Sequence, residues 1–205
     1  EGGAIRFGLG AMKGVGEGAV MAIIENRVES VDFKGVEKID PYKSLFDFAV
    51  RLSPNRECNK KVYEALALGG AFDELEGSKR LNRSQYFTLD DKDRSLLEQA
   101  IRYGQAVYQA DQLSGTTLFG DDDAMKIQEP EILPCEPWSD MLRLKKERDV
   151  VGFFISGHPL EKFNFEMNYI ATKGGLPLLE EMDNYTGKKF QFGGMISNVD
   201  HRISK

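Results

Sequence analysis

The chain has 205 residues, enough for one or two domains with a true core. Its 41% hydrophobic and 29% charged content is that of an ordinary globular protein, and no apolar run is long enough to span a membrane. A net charge of −6 excludes a chain that coats nucleic acid by bulk electrostatics, so any such contact has to be local.

In chain order, Ala4 to Leu9 alternates weakly and predicts a short strand. Gly14-Val15-Gly16 predicts a hairpin opening onto a helix to about Val28, with Val20, Ile23, Ile24 and Val28 on one face. Gly35 to Pro41 reads as a loop. Ser44 is an N-cap ahead of Leu45, Phe48, Ala49 and Leu52, and Pro54 stops that helix. Asn59 caps another helix with Val62, Ala65 and Leu66 on its core face, closed by a C-cap turn at Gly69-Gly70. Helical stretches follow at Asn82 to Leu89 and Arg94 to Gln109, the second with a buried stripe of Leu97, Ile101, Gly104 and Tyr108.

Ser114 to Pro137 is rich in Gly, Thr, Asp and Pro and reads as a linker. A helix is expected from Trp138 to about Phe154, with Met141, Leu144, Arg148 and Val151 along one side and Trp138 anchoring the linker to the helical core. Pro159 suits a first helical turn, and the His158 ring is expected to bond a backbone group. Pro177 opens a last short helix through Met182. A turn at Tyr185–Lys188 then leads into an apolar strand at Phe190–Val199. The fold class is therefore mainly α. Its parts are residues 1–110 as a helix-hairpin-helix domain, 111–137 as a linker, 138–184 as a helical connector and 185–205 as the start of a β domain.

The chemistry concentrates in the first hairpin. Its glycines permit close approach of a partner, and the open amides at the following helix N-terminus suit an anion. A duplex phosphate is the anion such a hairpin grips, without reading sequence. Lys13, Gly14, Val15, Gly16, Glu17 and Gly18 are the candidate contacts, and Asn59–Asp73 is a candidate second, degenerate hairpin through Lys60, Lys61, Gly69 and Gly70. The candidate basic patch is Lys13, Arg51, Arg56, Lys60, Lys61, Lys79, Arg80 and Arg83. Cys58 and Cys135 lie far apart at no metal-like spacing, as small buried or half-buried thiols in a reduced, cytosolic setting. Gly8-Leu9-Gly10 lacks the spacing of a dinucleotide-binding loop.

The run Ile5–Ile24, then Tyr42-Lys43-Ser44-Leu45-Phe46-Asp47-Phe48, then Asn59–Leu66 with Gly69-Gly70-Ala71-Phe72-Asp73, resembles the alpha subunits of bacterial replicative DNA polymerase III. Leu118-Phe119-Gly120, Pro137-Trp138, Glu147-Arg148 and Gly152–Leu160 fit the same family in the same order. The resemblance implies a cytoplasmic stretch of a longer polymerase, holding its tandem helix-hairpin-helix domain, its clamp-binding segment and the entry into an OB-fold. It also implies template-directed nucleotide addition with two divalent metals, Mg2+, on palm aspartates upstream of Glu1. No cofactor and no catalytic residue is expected within this stretch, and Asp121-Asp122-Asp123 is expected to be a solvated loop. Gly115-Thr116-Thr117-Leu118-Phe119 aligns with the family's clamp-binding pentapeptide, which begins with Gln where this chain has Gly115. The implied partners are double-stranded DNA, the sliding clamp and other replicase subunits, with no membrane. A structural spacer without DNA affinity, and a stand-alone repair enzyme with a helix-hairpin-helix reader, are the alternatives.

Overall fold

A computed structural model describes residues 7–31, 35, 37–75, 81–114, 127–169, 186–187, 189, 194–196 and 199–203. Six helices and one two-stranded antiparallel sheet make up the regular structure of these residues, in the order α1 (Glu17–Asn26), β1 (Val28–Val31), β2 (Glu37–Ile39), α2 (Leu45–Leu52), α3 (Lys60–Gly69), α4 (Leu96–Ser114), α5 (Asp140–Val151) and α6 (Asn164–Tyr169). No helix among them is long and apolar enough to cross a membrane.

The caps behave as their chemistry dictates. The Ser44 hydroxyl accepts from the Asp47 amide at 3.0 Å, and the Asn59 carbonyl oxygen accepts from the Lys61 amide at 3.0 Å. Gly70, at φ +82°, closes α3 in the left-handed conformation. Core aromatics converge on Phe48, which meets Tyr42, Tyr63 and Phe72 edge-on at 4.8, 5.1 and 5.2 Å between centroids. Burial pushes the Tyr42 hydroxyl up to about 12, and it donates to the Ile23 carbonyl at 3.1 Å.

Several boundaries depart from expectation. α1 stops at Asn26 because the chain turns into β1, which pairs Val28 with Ile39; the expected loop at Gly35–Pro41 thus contains a strand. Phe7 and Gly8 are irregular and Leu9–Ala11 is a single 3-10 turn, so no strand precedes the hairpin over 7–11. Asn82–Leu89 holds only a 3-10 turn at Gln85–Phe87, because side chains there bind a neighbouring segment rather than continue a helix. The Ser84 hydroxyl donates to the Glu136 carbonyl at 2.9 Å, and the Gln85 amide donates to Leu133 O at 3.2 Å. These bonds strap residues 133–136 down, and Trp138 stacks on Phe87 at 5.4 Å, so this end of the linker is anchored as predicted.

α5 belongs to the helical body. Contacts divide the chain at Phe154/Ile155, and composition places its boundaries near 111, 138 and 185. The buried face of α5 is Leu144, Glu147 and Val151, with Met141 half exposed. Glu147 is fully buried because Arg83 donates to its Oε2 at 2.8 Å. The same guanidinium donates to both Asp73 oxygens at 2.6–3.1 Å and to Leu68 O at 3.0 Å. Burial works against its charge, but the hydrogen bonds it donates to Asp73 and Glu147 outweigh that and hold its pKa above the ordinary arginine value.

The second unit, Ile155–Lys205, contains a capping box. The Leu160 amide donates to His158 Nδ1 at 3.2 Å, and the His158 amide donates to Glu161 Oε1 at 2.9 Å, as the backbone role of His158 requires. Gly187 turns at φ +81°. Of Phe190–Val199 only Gly194–Ile196 and Val199 are described, none in a strand; Pro177–Met182 lies outside the described residues.

Two substitutions test this architecture. A Cβ on Gly104 of α4 would overlap the Ala49 carbonyl of α2, so Gly104→Ala should destabilise the fold by about 1–3 kcal/mol, seen as a lower urea midpoint with unchanged slope. Glu147→Leu strands part of the Arg83 charge and should cost about 3–5 kcal/mol in the same measurement.

Candidate nucleic-acid interface

The first hairpin is built by burying its apolar residues and leaving its backbone open. Met12 and Val15 are each 6% exposed, and the Val15 amide donates to Met12 O at 3.1 Å. Gly14 has φ +95° and lies over α3, where a Cβ would stand 3.7 Å from Ala65 Cβ and 3.8 Å from Lys61 O. The left-handed requirement thus falls on Gly14, whereas Gly16 is extended at φ −79° and faces open space. Gly16 is also the N-cap of α1 and brings no side chain to it. The first helical bond runs from the Val20 amide to Gly16 O, so the Glu17, Gly18 and Ala19 amides precede it without a cap. Of these, Glu17 and Gly18 are exposed and Ala19 is buried, so two amides face outward at the positive end of the α1 dipole, a geometry that suits an anion.

A second tight turn, Ser53–Asn59, joins α2 to α3. The Asn55 amide donates to Leu52 O at 2.9 Å, and Asn55 Oδ1 accepts from the Glu57 amide at 2.9 Å. This is the second helix-turn-helix element. Gly69 and Gly70 lie elsewhere, as packing positions at the end of α3. A Cβ on Gly69 would overlap Met12 Cε, and one on Gly70 would overlap the Arg83 guanidinium, so both positions require glycine for packing, while their backbone stays half-buried. Pro54 and the Asn59 cap between two short amphipathic helices were the sequence signals for the actual turn.

The two turns abut. The Glu57 side chain lies against Gly18, its Cγ 3.0 Å and Oε2 3.3 Å from where a Gly18 Cβ would be. A carboxylate therefore neighbours the start of α1.

Ion pairing sorts the basic residues. Arg51 binds Asp40 at 3.1 Å and Asn26 O at 2.6 Å, closing the end of α1, and Arg83 is buried in its own cluster. Lys60 pairs with Glu98 at 2.9 Å and with Glu64 at 3.7 Å; the Glu98 hydrogen bond raises the Lys60 pKa, and the same bond lowers that of Glu98. Lys13, Arg56 and Lys61 are exposed and have no acidic partner among the described residues. These three surround the two turns. Lys79, Arg80 and Gly115–Phe119 lie outside the described residues. Both cysteines are free, Cys58 buried and Cys135 half-buried; burial pushes the Cys58 thiol up. Among the described residues no group of three or more His, Cys, Asp or Glu side chains is placed to hold a metal ion.

Residues 1–85 match a helix-hairpin-helix motif family. The chain is 37% identical over 158 residues to a DNA polymerase III subunit alpha of Deinococcus radiodurans, covering 77% of this chain and 10% of that protein. It is 33% identical over 168 residues to that of Vibrio cholerae, covering 82% and 13%. For Escherichia coli the figures are 29% over 210 residues, covering 99% and 16%. The chain therefore spans about a tenth to a sixth of the length of these relatives. With a helix-hairpin-helix motif at its start and this likeness over most of its length, the chain belongs with the DNA polymerase III alpha subunits.

Proposed function

We propose that this chain holds duplex DNA by its phosphates, without reading sequence, on the face made by the two abutting turns. It would do so as part of a DNA-directed DNA polymerase whose nucleotide addition is carried out elsewhere. The observation that carries this reading is the uncapped start of α1, with the exposed Glu17 and Gly18 amides, flanked by Lys13, Arg56 and Lys61, which have no acidic partner among the described residues. Amides position a phosphate at short range, and the cations contribute a salt-sensitive attraction. The spacer reading is favoured by one observation, the Glu57 carboxylate beside Gly18, which opposes a phosphate there.

Duplex titration by fluorescence anisotropy across a salt series tests the two readings. Each neutralised phosphate contributes about −0.9 to the slope of log affinity on log salt, so Lys13, Arg56 and Lys61 together give about −3. Gly16→Val places its side chain in open space and should weaken duplex binding while helix content stays unchanged. Glu57→Gln should tighten it by removing the opposing charge. Unchanged affinity in both folded variants would support the spacer.

The segment Gly115–Phe119 is the second part of the proposal, as the anchor for a sliding clamp. α4 leads into it, and the strap at residues 133–136 anchors the chain beyond it. Adjacent apolar residues such as Leu118 and Phe119 suit an apolar groove. Burying Leu118 and Phe119 contributes roughly 1.5–3 kcal/mol each, so replacing both with Ala should weaken clamp binding more than about a hundredfold. The melting temperature should not change, because the lost contacts are intermolecular. Gly115→Gln should tighten binding. Calorimetry against the cognate clamp reads all three; parental affinity in the double variant would place the clamp site elsewhere.

A further inference from the structure

A cleft of about 460 Å3 opens between the Ser53–Asn59 turn and α4. Its walls combine apolar groups, among them Leu52 and Ile101, with a polar rim from Asn55, Arg56, Arg102 and Gln105. Arg56 and Arg102 are exposed and have no acidic partner among the described residues. The charges lining the cleft are those of Arg56, Arg102 and Lys60 against Glu98, a net of +2 in a chain of net −6. The Glu98 carboxylate is already committed to Lys60, and Glu57 is outside the lining, turned toward Gly18. Ser53 also lines the cleft, and its Oγ is the one buried side-chain oxygen or nitrogen without a hydrogen-bond partner among the described residues.

We propose that this cleft binds a nucleotide, with Arg56 and Arg102 on its phosphate and the sugar and base against the apolar wall. Guanidiniums hold phosphate oxygens in a bidentate fork, which matches the two free side chains at the rim. The cleft falls within the size range of small-molecule sites and exceeds what a lone phosphate fills. Arg102 and Gln105 belong to α4, beyond the 85 residues that match the helix-hairpin-helix family, so the site lies partly outside that motif and does not require the start of α1 to bind DNA. The nucleotide is either free in solution or an unpaired residue of a strand lying across the turn.

The test is titration of the isotope-labelled 205-residue chain with deoxyadenosine monophosphate, followed by amide NMR shifts at Ser53, Arg56 and Arg102. Inorganic phosphate is the parallel probe. Saturable shifts are expected, at lower concentration for the nucleotide than for phosphate. Arg102→Gln and Arg56→Gln should each weaken the nucleotide about tenfold, the loss of one charge-assisted contact, with the spectrum otherwise that of a folded chain. The Arg102→Gln chain is also titrated with fully paired duplex and with duplex carrying a single-stranded overhang. Selective loss of overhang binding marks the strand as the source; loss confined to the mononucleotide marks a free ligand. Absence of saturable shifts, equal response to phosphate and nucleotide, or parental affinity in both variants would overturn the proposal. None of these outcomes depends on whether paired duplex binds the start of α1.

Discussion

The placement of the first hairpin depends on one buried guanidinium. Arg83 joins three segments that are far apart in sequence: the end of α3 through Leu68 O, the following turn through Asp73, and α5 through Glu147. Burying such a charge is unfavourable unless every donor finds an acceptor, and here the acceptors come from each element that must meet. Once α5 is seated, its last residues set the hairpin. The Lys13 amide donates to Val150 O at 2.8 Å, and Val151 and Met12 both stand at Gly69. The start of α1 is thus fixed by a helix more than a hundred residues away, on the far side of the linker.

The two turns use different chemistry from similar outlines. At α1 the cap is a glycine, so the first amides keep their hydrogen-bonding capacity for something outside the chain. At α3 the cap is Asn59, whose side chain already holds the Lys61 amide. The second turn therefore contributes charge from Arg56 and Lys61 more than backbone donors. Glu57 makes the division sharper by sitting where the turns meet. A carboxylate there is stabilised by the α1 dipole when no phosphate is present and opposes one that arrives.

The local signals were the ones legible in the sequence. Ser44, Asn59, Gly70 and His158 each hold the cap that their residue type predicts, because a cap needs only atoms a few positions away. The misplaced features depend on distant partners. Periodicity put Arg148 on the buried face of α5, where the structure puts Glu147. A glutamate reads as polar until Arg83, 64 positions earlier, is known to meet it. Arg51 and Arg83 read as surface cations for the same reason. β2 escaped notice because three residues, Glu37-Lys38-Ile39, carry too little alternation to distinguish a strand from a loop. Gly69 and Gly70 read as a turn because glycines mark turns, and the close packing of Met12 and Arg83 against them is a further reason for glycine that only the fold reveals.

Charge explains how an acidic chain can present a locally cationic face. Arginines that hold the fold together are matched at short range: Arg51 with Asp40 and Asp47, Arg83 with Asp73 and Glu147, Arg94 with Asp90. The Arg94 hydrogen bond holds the Asp90 carboxyl down at about 2, so that pair stays ionised through the physiological range. Such pairs cancel beyond a few ångströms and add little to the field that a ligand meets. Among the described residues, Lys13, Arg56, Lys61 and Arg102 have no acidic partner, and they lie around the two turns and the cleft beside them. The potential near those turns is therefore set by these unmatched cations more than by the net charge of the whole chain.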